Sequence, residues 1–409
     1  MKKTTLRAYA RLIARKGVNV QKNQPVIITA ELDQPEFVEM LTDECYKAGA
    51  SRVEVKWTHQ PLTRLDVRHC KEKVLSAVQD WELEKMKYQE QTLPAMIYLE
   101  SDDPDGLRGI NQEKYTKALQ ARRKAFKPFR ERMDNHYQWC IAAVPGVKWA
   151  KKLFPHLSKK QAVEELWKAI LKAARADVDP MKQWDEHNAN LANRCAWLNS
   201  LGLTELRYHS SNGTNLTVGL IDRTRFVGGA GDTAEGVTYN ANMPSDEIFI
   251  TPMKGKAEGT VVSTMPLSYQ SELIENFSIT FQDGKAVSWQ AEKNGHLLDK
   301  LMSMDENAGY LGECALVPYD CPINQLGILF YNTLFDENAS CHLALGAGYS
   351  ECLEGFESLS YEECTERGVN DSIVHVDFMI GAPDLSITGI DKAGKEIPIF
   401  VNGNWASSI

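Results

Sequence analysis

Near residue 200 the chain changes its period, and that change limits the possible fold more than any other feature. Before it, apolar residues fall alternately at helix and strand spacing. TLRAYARLIARKG reads as an amphipathic helix stopped at Gly17, PVIITA (25–30) as a buried strand, and PEFVEMLTDECYKAGA as a helix closing on Gly49. RVEVKW, AMIYLE and YQWCIAAV predict three more strands with charged helices between them, the order expected of a mostly parallel sheet covered by helices. Ser158 is a natural N-cap for SKKQAVEELWKAILKAARAD, and DPMKQWDEHNANLANRCAWLNSLG predicts one further helix.

After residue 200 the runs shorten. TELRYHSS, TNLTVGL, GTVVST, SITFQDGKAVSW, HVDFMIG, DLSITGI and EIPIFVN are alternating or β-branched and are separated by NG, DG and AG turns, which is antiparallel patterning. The reading is an α/β domain with a mostly parallel sheet over residues 1–200, followed by a β-rich (α+β) domain over 201–409. A chain of 409 residues is long enough for each to bury its own core.

Composition excludes several classes of function. With 46 basic and 55 acidic residues the net charge is -9, which offers no general attraction to a phosphate backbone, so no nucleic-acid partner is expected. The basic run QARRKAFKPFRERM (120–133) has helical spacing and reads as a solvated amphipathic face rather than an RNA-binding arm. No uncharged apolar run approaches membrane-spanning length, and MKKTTLRAYARLIARKG lacks the apolar core of a secretory signal; the expectation is a cytoplasmic protein without a membrane partner. Nine scattered cysteines with no CxxC pair fit that compartment and predict neither a disulfide framework nor a thiolate zinc site. The run VGGAGDTAEG (227–236) lacks the GxxxxGK[ST] pattern and reads as a flexible loop near the site, and no GxSxG elbow occurs.

The ionisable residues of the β-rich half are harder to dismiss. His375 and Asp377 stand two apart in the apolar strand VHVDFMIG, which puts both on one face as a ready pair of metal ligands. Glu337 and His342 lie five apart in FDENASCHLALGAGY (335–349), where the strand-like YNTLF and LALG flank Asp336 and Glu337. Glu313 interrupts YLGECALVP and Glu247 interrupts ANMPSDEIFI. Cys341, beside His342, points to the opposite face of its strand and reads as a packed thiol. Spacing alone leaves two readings open, a shared metal site or separate buried groups that are merely hydrogen-bonded.

In order, NMPSDEIF, AEGTVV, GECALVP, FYNTLFDENASCHLALGAGY and HVDFMIG closely resemble the successive motifs of the aminopeptidase T and aminopeptidase S family, the thermophilic-type metallo-aminopeptidases. YARLIARKGVNVQKNQPVIITA resembles that family's opening helix and strand. The resemblance implies an N-terminal α/β domain, a β-rich domain carrying two divalent metal ions, and a homodimer that encloses the sites and so acts on short peptides; an oxygen-rich donor set suits zinc, cobalt or manganese. It places the metal ligands on Glu247, Glu313, Glu337, His342, His375 and Asp377, and an active-site tyrosine on Tyr349, where a hydroxyl would stabilise an oxyanion. One site glutamate, which the sequence does not single out, is expected to act as general base, and Glu313 is expected to be catalytic as well as a ligand. PSDE stands where the family has PTEE, and Cys314 where an aliphatic residue is usual. A water held between the two ions would be the nucleophile. The alternative, a non-catalytic peptide-binding protein on the same fold, predicts the loss of at least one ligand position, and all six are present.

Overall fold

The computed structural model describes residues 1–270 and 272–406. The chain divides into two compact units, residues 1–185 with 230–244 and residues 186–229 with 245–409, where the sequence reading drew one boundary at 200/201. The helix Pro180–Ser200 carries the chain from the first to the second.

The first unit is a five-stranded parallel sheet in the order Arg52–Thr58, Pro25–Glu31, Ala95–Glu100, Trp139–Ala143, Asn242–Met243. Its helices form where the spacing requires. Pro35 opens the helix Pro35–Ala48 at a position needing no amide hydrogen, Phe37, Val38, Leu41 and Cys45 make its buried stripe, and Gly49 follows it at φ 123°. Ser158 caps the helix Lys159–Ala173 by accepting from the Gln161 amide. The basic run lies on the helix Gln112–Met133, where Arg123, Lys124 and Lys127 are exposed. Much of the glycine-rich run forms a small hairpin, Gly231–Asp232 against Thr238–Tyr239, where the sequence reading expected a flexible loop.

The second unit holds two antiparallel sheets around one apolar core. The larger runs from Leu267–Tyr269 through Glu272–Gln282, Pro252–Val262, Asn215–Leu220, Leu203–His209 and Ser386–Asp391 to Glu396–Val401 and Asn404–Trp405, with Lys285–Lys293 beside Glu272–Gln282. The smaller is Ile248–Ile250, Leu311–Leu316, His342–Gly346, His375–Met379. Leu206, Val218, Ile279 and Ile387 of the larger sheet share a core with Ile248, Leu316, Leu343, Leu345 and Phe378 of the smaller. Those residues of the smaller sheet alternate with the acids and histidines singled out above, so one face of this sheet is core and the other is free for chemistry.

Candidate metal centre

Strand register assembles the site from distant parts of the sequence. Opposite residues of paired strands share a face. Glu313 stands opposite Ala344, which stands opposite Asp377; Ala315 stands opposite His342; Gly346 stands opposite His375; and Phe249 stands opposite Ala315. Glu247, two residues before Phe249, enters at the same edge. The middle strand therefore offers only Ala344 and Gly346 between the ionisable residues, and this leaves space above the sheet. Gly346 has a second reason for its identity: its φ is 104° and an added Cβ would lie 2.1 Å from the Val374 carbonyl oxygen.

The side chains converge. Glu247, Glu313 and His342 form one trio of potential metal donors and Glu313, His375 and Asp377 a second, with the donor atoms of each trio within 4.8 Å of one another. Glu313 belongs to both. Glu337 is in neither trio, yet it is partly buried and feels the charges of Asp377, Glu247, His342 and Glu313. It ends the short helix Thr333–Glu337, where the sequence reading expected strand-like structure running into a loop. Asp336 on the same turn points away from this role and accepts from the amides of Phe330 and Asn332 at 2.7 and 3.1 Å, which shapes the approach to the helix. Cys341 packs as expected, with its thiol 3.3 Å from the Val317 carbonyl.

Both imidazoles are oriented by backbone. His342 donates from Nδ1 to the Ser340 carbonyl (3.1 Å) and His375 from Nδ1 to the Ala347 carbonyl (2.8 Å). Since a carbonyl only accepts, each Nε2 is turned to the acids: His342 Nε2 lies 3.3 Å from Glu247 Oε2, and His375 Nε2 lies 3.1 Å from Glu313 Oε2 and 3.2 Å from Asp377 Oδ1. This is the tautomer and outer support that a metal-binding histidine requires. Tyr349 Oη is 3.1 Å from His375 Nε2, and its ring stands edge-on to Phe249 with centroids 5.3 Å apart.

The electrostatics call for a cation. Four carboxylates gather in a buried space, where mutual repulsion and desolvation both oppose ionisation. Burial pushes Glu313 above its ordinary range although His375 opposes it, and burial with the charges of Asp377 and Glu247 pushes Glu337 well above. Burial would depress His342, but its contact with Glu247 raises it to about 10. Burial also opposes ionisation of Asp377, yet the adjacent His375 holds it below the usual carboxylate range. Asp377 Oδ1 is nonetheless a buried oxygen without a well-formed hydrogen bond. The oriented Nε2 atoms and the oxygen-rich donor set fit divalent metal ions.

Fold and site together define a metal-dependent hydrolase. Residues 2–405 match the thermophilic metalloprotease (M29) family. The chain is 40% identical to aminopeptidase AmpS of Bacillus subtilis over 403 residues and 37% identical to aminopeptidase T of Thermus thermophilus over 405, in each case covering 98% of both chains. The solved structure of wild-type AmpT from Thermus thermophilus superimposes with a TM-score of 0.91 at 36% identity, covering 99% of this chain and 100% of that one. The chain therefore belongs to the thermophilic metalloprotease family and is a metal-dependent aminopeptidase.

The outer partners of this cluster carry no signal that sequence reasoning used. Ser340 and Ala347 act through carbonyl groups, and Thr251 clamps the Tyr349 backbone by accepting from its amide (2.8 Å) and donating to its carbonyl (3.1 Å). Asn338, next to Glu337 in FDENAS, is uncharged and passed unnoticed.

Proposed function

We propose that the cluster holds two divalent ions, one at each trio, and that the enzyme uses them to release N-terminal residues from short peptides. The observation that carries this reading is the position of Glu313, whose carboxylate belongs to both trios. An acid shared between two donor sets is the arrangement in which one carboxylate bridges two ions. Oxygen and imidazole donors without thiolate favour zinc, cobalt or manganese. Bound there, such ions would polarise the scissile carbonyl and lower the pKa of a water beside it.

The protein's own groups supply the rest. A carboxylate of the cluster can accept from the free α-ammonium of a peptide, which would fix cleavage at the chain end. A glutamate of the cluster is assigned the proton taken from water and returned to the leaving amine. Tyr349 remains a neutral phenol, because desolvation of its hydroxyl and the nearby Glu313 and Asp377 charges raise its pKa well above the ordinary value. The residue keeps 38% of its surface exposed while Oη lies 3.1 Å from His375 Nε2. A neutral phenol can donate to an oxygen that gains negative charge in the transition state.

The proposed enzyme is a homodimer, which the resemblance of the motifs implies, and cytoplasmic, which the scattered cysteines without a CxxC pair fit. The test pairs elemental analysis with hydrolysis of an amino-acid p-nitroanilide. Two ions per chain, loss of activity with a chelator and recovery with zinc, cobalt or manganese are expected; full activity in the stripped protein sinks the reading. Sedimentation reports the dimer, and a series of tri- to decapeptides set against a denatured protein with the same first residue reports the length limit.

A further inference from the structure

We propose that Asn338 is a positioning residue that locks Glu247 and Glu337 at their working separation. The proposal rests on the metal-site reading above. Four of the six candidate ligands, Glu313, His342, His375 and Asp377, are held by strand pairing. The other two are not. Glu247 lies in the turn before Ile248–Ile250, and Glu337 ends a helix of five residues. Segments of this kind need another restraint if their carboxylates are to meet a metal within a few tenths of an ångström.

Asn338 supplies it from a fully buried position, at 0% exposure. Its Oδ1 accepts from the Asp246 amide at 2.7 Å, one residue before Glu247. Its Nδ2 donates to the Leu334 carbonyl at 3.0 Å, within the helical turn that presents Glu337, and reaches Glu337 Oε1 at 3.5 Å. One side chain thus joins both segments. From the other side, His187 Nε2 donates to the Ser245 carbonyl at 2.7 Å, so the turn carrying Glu247 is gripped at two successive residues.

The residue type fits the task. An amide offers a donor and an acceptor without charge. Aspartate would lose the donor and add a fifth carboxylate to a cluster already short of positive charge, and leucine would fill the space but leave the Asp246 amide buried without a partner. Both ends of the Asn338 amide are committed to the scaffold, so Asn338 acts through Glu247 and Glu337 rather than on the substrate.

The experiment titrates zinc into metal-stripped full-length protein by calorimetry, with melting of the stripped protein followed in parallel. The variants are Asn338→Ala and Asn338→Ser, and Asn240→Ala serves as control, since Asn240 is a buried asparagine of the other unit that donates to the Lys16 carbonyl. Loss of an outer-shell partner weakens metal binding by about 10–100-fold. That loss is expected in both Asn338 variants, while Asn240→Ala lowers melting temperature at unchanged zinc affinity. Wild-type affinity in a folded Asn338→Ala protein overturns the proposal and leaves the metal site standing. Should Asn338→Ala fail to fold, Asn338→Ser decides by the same criterion. Absence of zinc binding in the wild-type protein overturns the site reading itself, and this proposal with it.

Discussion

Glu313 and Asp377 lie two strands apart, each directly opposite Ala344 on the strand between them. Strand spacing puts their backbones about 10 Å apart, and only a side chain as short as alanine between them lets both carboxylates lean inward to a shared imidazole. Ala344 is itself completely buried. Valine there is expected to push the carboxylates apart and to cost about 1–3 kcal/mol of stability through overpacking. Zinc titration of stripped Ala344→Val should show at least one ion lost or bound more than tenfold more weakly, whereas Ala344→Gly should keep both. Normal binding by the valine variant would mean that the two acids do not meet above this residue.

The strand His375–Met379 separates chemistry from stability along five residues. His375 and Asp377 face the cluster; Val376 packs against the core and Phe378 is buried within it. His375→Ala and Asp377→Ala should lose metal while the stripped proteins stay folded, less stable by the ion pairs that His375 makes with Glu313 and Asp377. Val376→Ala should cost about 1 kcal/mol and Phe378→Ala about 3–5 kcal/mol, both with zinc affinity retained. Denaturant melts of the four stripped proteins, set beside their zinc titrations, read the contrast. Two tightly bound ions in His375→Ala would remove that residue from the ligand set.

Stability of the metal-free protein should fall as pH rises. His342, raised from 6.5 to about 10 by Glu247 against the effect of burial, binds its proton more tightly in the folded state. Its contribution is complete below pH 6.5 and is lost as pH climbs through about 10. Glu313 and Glu337, raised by burial, also hold more proton when folded and act with the same sign. Asp377, lowered beside His375, has the opposite sign and matters only below its ordinary 3.8. Melting temperature of stripped protein should therefore decline between neutral and alkaline pH, less steeply in His342→Gln. Zinc must displace these protons, so its affinity should rise over the same range. A flat melting profile for the stripped wild type would contradict the proton-holding cluster.

These groups differ in how visible they were in the sequence. His375 and Asp377 announce themselves because strand alternation acts over two residues. Glu313 joins them only through pairing with strands 30 and 60 residues further on, whose register includes an irregularity between Leu311 and Glu313, and no local pattern encodes that. Its place came from the order of motifs instead. Glu337 was read beside strand-like sequence because a helix of five residues is too short to show a 3.6-residue period. Much of the parallel sheet of the first unit was legible because Pro25–Glu31, Ala95–Glu100 and Trp139–Ala143 are short, largely apolar runs set between helical segments. The second unit's division into two sheets was not, since every short β-branched run looks alike until its partners are known.

Tyr349 offers the sharpest separation of packing from chemistry. Its ring stands edge-on to Phe249, its backbone is clamped by Thr251, and its hydroxyl alone reaches into the cluster, 3.1 Å from His375 Nε2. Tyr349→Phe keeps the ring and the clamp and removes one oxygen, so stripped stability and zinc affinity should stay close to wild type. If the hydroxyl donates to the developing oxyanion, kcat should fall by about 10²–10³-fold with a much smaller change in KM, because the hydrogen bond strengthens only as charge appears. If it merely steadies His375, the loss should appear as weaker zinc binding, and kcat at saturating zinc should recover. Steady-state kinetics on an amino-acid p-nitroanilide at several zinc concentrations separates the two, and full recovery of kcat at high zinc would remove Tyr349 from the chemistry.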